Sequence, residues 1–248
     1  MNESVAHTGD MSIGAVLTAT GRQFVKNFLP LLLLSLLVFS PLIAFDLFFR
    51  EFPNIGDINE GYVSTVLAAT AGVENILYSL MATIQALIIA PFIVGRMRGR
   101  EVSLADAASV GMRKLGSAIG AMIMVGIATT IGFLLLIIPG IILTLMFALI
   151  IPVLVLEDTD AFVSMERSAT LTKGSRWRVL LGYVLVFIFT IAVLSLAELV
   201  PWQESWRLEN MFLCVASAAE AVFIAVLYEH LLIAREGGDA EAIISTFE

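Results

Sequence analysis

A chain of 248 residues that is 59% hydrophobic and only 15% charged, with a mean hydropathy of +0.95, is not a soluble globular domain, which carries about 25% charged residues. The net charge of −8 argues against nucleic acid as a partner, because backbone phosphates demand clustered Lys and Arg. One cysteine, Cys214, excludes an intramolecular disulfide framework and any Cys-based metal site.

The opening MNESVAHTGDM is polar and lacks the basic, apolar, small-residue order of a cleavable leader. It reads as a flexible tail over 1–11, with the first span kept as an anchor. Apolar stretches then predict six transmembrane helices at Phe28–Phe49, Thr65–Val94, Leu115–Ile138, Ile141–Leu156, Val179–Leu199 and Met211–Ile233. The second is long enough to tilt, and the fourth is short for a full crossing.

The third and fourth stretches raise a question of their own, since no charge occurs from Leu115 to Leu156. As one helix this segment would run about 60 Å, twice the hydrocarbon core. Pro139 and Gly140 offer a break, and the sequence predicts a tight hairpin at these two residues. Charge supports it. With six spans and a cytoplasmic N-terminus, twelve basic residues fall on the cytoplasmic side and only Arg50 and Arg207 on the other. Both termini are then cytoplasmic, the last 13 residues (236–248) forming a short tail.

Before spans one, three and five stand SIGAVLTATGRQFVKNF, SLADAASVGMRKLGSAI and AFVSMERSATLTKGSRWR. Each has apolar residues at helical spacing, then basic residues, then a span, which predicts interfacial helices over 12–27, 103–114 and 161–173. Ile13, Val16, Leu17 and Phe24 form the apolar face of the first; Phe162, Met165, Ala169 and Leu171 that of the third. Ser103 with Asp106 reads as a helix cap, and Thr172-Lys173-Gly174 as a helix end. Ser164, Ser168 and Thr172 make a polar stripe. The expected fold is an all-α polytopic membrane protein: a single integral domain over 1–248, built from three repeats of an in-plane helix plus a two-span hairpin.

Candidate site residues follow from the cost of charge in hydrocarbon. Glu74 lies in AATAGVENILYSL, Glu220 in AASAAEAVFIAVLYEH and Glu229 near the inner end of the last span. Each is read as a buried polar or ligand contact, or as a hydrogen-bonded link between helices. Asp46 and Glu198 lie near outer span ends. Arg113, Lys114, Lys173, Arg176 and Arg178 are candidate headgroup contacts, and Trp177, Trp202, Trp206 and Tyr183 suit an aromatic belt. With His7 and His230 the only histidines and no phosphate-loop pattern, no catalytic, metal or cofactor constellation is visible.

Pro139-Gly140-Ile141, the run Pro152 to Glu157, Ser164 and Ser168, and Leu171 to Gly174 with Arg176 resemble the signature of bacterial YciC-like inner-membrane proteins. The same pattern occurs in the membrane domain fused to some glycerophosphodiester phosphodiesterases, whose catalytic barrel has no counterpart here. The resemblance covers Leu134 to Arg178 and implies a standalone membrane module in a bacterial inner membrane. The function expected is a non-enzymatic protein without cofactors that binds, organises or helps move membrane phospholipid or an amphipathic ligand. A scaffold for a membrane-protein partner, a homo-oligomer, or a small-solute transporter using Glu74 or Glu220 are the alternatives.

Overall fold

The structure is a computed structural model that describes the backbone of residues 12–50, 60–198 and 205–246, and the side chains of 12–45, 72–196 and 210–237. The expected tail at 1–11 and the side chains of Asp46, Arg50, Glu198, Trp202, Trp206 and Arg207 lie outside the described residues. The elements are α1 (Ile13–Lys26), α2 (Phe28–Arg50), α3 (Glu60–Met97), α4 (Leu104–Arg113), α5 (Leu115–Leu135), α6 (Ile137–Met146), α7 (Ile150–Leu156), α8 (Ala161–Thr172), α9 (Arg176–Glu198) and α10 (Ser205–Thr246). The segment expected as a C-terminal tail continues α10 to Thr246.

Six stretches are long and apolar enough to cross a membrane, α6 and α7 together making the fourth. Leu33, Leu37, Ile127 and Phe187 point outward and exposed, which only a lipid solvent tolerates in such number. The chain is a multi-pass α-helical membrane protein.

Its helices fall into three units of one plan: a short helix, a brief break, a span, and a second span. They are α1-α2-α3, α4-α5-α6-α7 and α8-α9-α10. The short helix of each unit packs on the second span of the unit before it: α4 on α3, α8 on α7, and α1 on α10. The last of these contacts closes the circle. Second spans are the inner members, with 50, 39 and 67% of their residues buried, against 28, 17 and 11% for the first spans α2, α5 and α9. Each break lies against the end of its own unit's second span. Arg96 Nη1 donates to Asn27 Oδ1 in the first, and Lys114 pairs with Asp158 at 2.6 Å in the second. In the third, Arg235 Nη2 lies 3.4 Å from where a Cβ on Gly174 would stand.

Proline sets where helices restart. A proline has no N–H, and its ring crowds the carbonyl four residues back, so it is tolerated only in a helix's first turn unless the lost bond is replaced. Pro30, Pro139 and Pro152 are each the third residue of a helix, and each break falls three residues earlier, at Asn27, Leu136 and Leu149. The expected hairpin at Pro139-Gly140 is therefore corrected. The turn is at extended Leu136 (φ −162°, ψ 151°), and Pro139 and Gly140 belong to the start of α6. That earlier start gives the fourth span 20 residues, enough to cross. Gly140 instead permits close packing, because a Cβ there would collide with the Phe133 ring.

Two further prolines lie inside spans. Pro41 frees the Leu37 carbonyl, which accepts from Ser40 Oγ at 2.8 Å. Pro91 frees the Leu87 carbonyl, and Gly111 of α4 lies so close to it that any Cβ would clash.

The break between α6 and α7 is closed by α8. Ser168 Oγ donates to the Met146 carbonyl at 2.7 Å and accepts from Leu149 N at 3.1 Å, replacing the helical bonds missing across 147–149. Ser164, Ser168 and Thr172 are all fully buried, whereas Phe162 is 74% exposed. The expected apolar face of α8 is thus corrected in part: the polar stripe turns inward with Leu171, and Phe162 turns out. For α1 the expected face holds, with Val16 fully buried and Ile13, Leu17 and Phe24 packed around it. Ser103 caps α4 as expected, accepting from Asp106 N at 3.1 Å.

Ser168→Ala should orphan the Leu149 N–H and the Met146 carbonyl together and destabilise the protein by about 1–3 kcal/mol. Thr170→Ala on the exposed side of α8 should stay within about 0.5 kcal/mol of wild type. Thermal unfolding in detergent compares them, and equal midpoints would remove Ser168 from this role.

Candidate functional site

The site with room for a ligand begins where α8 ends. Gly174 takes φ +83°, a left-handed conformation that glycine adopts without Cβ strain, and this sharp exit lets α9 start two residues later. Arg176 and Trp177 are thereby held on the first turn of α9, facing α6. The face of α6 they meet is wholly apolar: Ile138, Ile141, Ile142 and Leu145. Between the two helices lies a groove of about 610 Å³, within the roughly 300–1,000 Å³ range of small-molecule sites.

Polarity in this groove is confined to one end. Arg176 Nε is buried and has no hydrogen-bond partner among the described residues, a condition that costs about 1–3 kcal/mol or more for a charged group. The Arg235 guanidinium lies beside Gly174, Lys173 is exposed next to it, and Trp177 is 82% exposed. Chemically this is a slot for an apolar chain with cations at one end.

A second polar assembly gathers at the ends of the inner spans. Arg98 forks onto Glu229 through Nε and Nη2, at 2.8 and 2.6 Å, the geometry of a strong bidentate pair. Arg167 of α8 donates to both oxygens of Glu157, at 2.9 and 3.2 Å, and to Glu236. Tyr228 adds a bond to Glu157 at 3.0 Å. This collar joins α3, α7, α8 and α10. Deeper in the bundle, Gln85 donates to Ser35 and accepts from Ser217, linking α3 with α2 and α10.

The sequence-derived candidates separate clearly. Glu229 is 6% exposed and paired, although the sequence offered no cation within its span; Arg98 reaches it from the end of α3. Glu74 is half-exposed beside outward-facing Val73 and Ile76. Glu220 lies on α10 within electrostatic reach of Tyr78 and Tyr183. Neither Glu74 nor Glu220 has a hydrogen bond or ion pair among the described residues. Of the basic candidates, Lys114 is held by Asp158 and the Thr159 carbonyl, and its contact holds the Asp158 carboxyl below the usual range. Arg113 and Lys173 are exposed, Arg178 has a partner of its own, and Arg176 alone enters the groove.

Sequence reasoning missed Arg98, Glu157, Arg167, Tyr228 and Glu236 as a group, and Gln85 as a buried link. Gln85 carried a readable signal, the one amide in LMATIQALIIAPFIV. The collar did not, because its members are spread over more than 130 residues.

Comparison of the chain with protein-family models, curated proteins and solved structures finds no match.

Arg98→Gln should leave the Glu229 carboxylate buried without its cation and destabilise the protein by about 2 kcal/mol. Adding Glu229→Gln should recover most of that loss, the sign of direct coupling. Unfolding midpoints of the two single variants and the double variant test it, and simple additivity would refute the pairing.

Proposed function

We propose that this is a non-enzymatic protein of a bacterial inner membrane, with both termini cytoplasmic, that binds and organises or helps move membrane phospholipid. The observation that carries this reading is the groove between α6 and α9, apolar along its length and cationic at one end, opening beside exposed apolar helix faces. An amphipathic ligand matches that profile, since apolar walls favour a chain and the guanidinium favours an anionic head. The resemblance of Leu134–Arg178 to YciC-like proteins, which spans both walls of the groove, accords with a membrane module of this kind. Transport of a polar solute would need a polar route through the bundle, and Ser35, Gln85 and Ser217, which could line one, are hydrogen-bonded to each other.

Native mass spectrometry of the gently extracted protein should find retained phospholipid, and Ile142→Trp, which fills the groove, should lower the amount retained while the melting temperature holds. Unaltered retention would rule out the groove. For orientation, a fluorescent reporter fused after Glu248 should mature and a phosphatase reporter there should stay inactive, as the twelve-to-two basic bias requires; an active phosphatase would overturn the orientation.

A further inference from the structure

Charge pairing around the groove narrows the ligand further. Arg98, Lys114 and Arg167 each hold a carboxylate. Lys173 and Arg176, on either side of the turn at Gly174, and Arg235, whose Nη2 lies beside that turn, hold none among the described residues. In a chain of net charge −8, carboxylates are plentiful, so three cations left uncompensated at one point make a local positive field at the end of an apolar slot.

The posture of Arg176 bears on what that field meets. An arginine near a membrane surface ordinarily extends its head into water. Here the Nε is turned into the protein and has no partner. Nε and Nη of a guanidinium form a fork that fits two oxygens of one phosphate, and the positive end of α9 lies at the same place.

We propose that the groove selects an anionic glycerophospholipid, its phosphate held by Arg176 with Arg235 and Lys173 and one acyl chain lying along Ile138, Ile142 and Leu180. This rests on the lipid reading of the groove given above and adds the headgroup class. A zwitterionic lipid brings an ammonium toward the same three cations and loses by repulsion what its phosphate gains. Free phosphate gains nothing from the apolar walls.

The test is competition in nanodiscs of equimolar dioleoylphosphatidylglycerol and dioleoylphosphatidylcholine, with the lipids retained on the released full-length protein counted by native mass spectrometry. The wild type should enrich phosphatidylglycerol by about tenfold over the bulk ratio. Arg176→Gln and Arg235→Gln should each bring the ratio toward one, Arg100→Gln in the exposed connection after α3 should leave it unchanged, and Ile142→Trp should lower retention of both lipids. If Arg176→Gln does not fold, Arg235→Gln and Lys173→Gln at the rim carry the same expectation. Undiminished enrichment in the rim and Arg176 variants, with retention still lowered by Ile142→Trp, overturns the headgroup proposal and spares the groove. No effect of Ile142→Trp overturns the groove reading itself.

Discussion

A backbone carbonyl or amide left without a partner in an apolar medium costs several kcal/mol, and this chain places five of its prolines within or at the restart of inner and outer spans. The architecture follows from how each interruption is satisfied. Three prolines sit in first turns, where the absent N–H is missing from no ladder. Pro41 is answered within its own helix by Ser40. The gap before α7 cannot be answered locally, and Ser168 of another helix supplies both a donor and an acceptor. A connector expected to lie on the surface is thereby committed to the core.

That commitment recurs around the molecule. Packing α4 on α3, α8 on α7 and α1 on α10 turns three hairpins into a closed ring, so no unit's short helix is left without a neighbour. Small residues allow close approach, with Gly111 of α4 against the Leu87 backbone of α3 and Gly182 of α9 against Phe223 and Ile13. In lipid, where apolar surface gains little by leaving its solvent, such close approach and hydrogen bonding are what hold helices together. The Gln85 link and the Arg98–Glu229 fork serve the same end at two depths.

The two polar assemblies differ in what they leave open. In the collar, every carboxylate named has a donor and both arginines donate through Nε and Nη2, the condition in which a buried network rigidifies rather than binds. At the α8–α9 turn the balance is reversed: cations are gathered and hold no carboxylate among the described residues. Glu157 and Glu236 both converge on Arg167, and among the described residues Arg235 and Arg176 hold no carboxylate.

Composition, the lengths of apolar runs and the placement of basic residues were sufficient to read a six-span helical membrane protein, its short helices to within a residue or two, and the cap at Ser103. These are local properties, fixed by what a residue does to its own helix or to its own transfer into lipid. The hairpin at Pro139-Gly140 was misplaced because proline's effect falls on the carbonyl behind it, so the turn precedes the residue that causes it. The inward turn of the Ser164–Ser168–Thr172 stripe was illegible because it depends on an unsatisfied break in another helix. Likewise Arg176 and Arg178 look alike in the sequence, and only the sharp exit at Gly174 directs one of them into a groove whose other wall is more than thirty residues away. The sequence alone determined which segments enter the membrane, because that is a sum over each segment's own residues. Which polar groups end paired, and which remain free to meet a ligand, was decided by tertiary structure, because pairing is a property of distances that only packing sets.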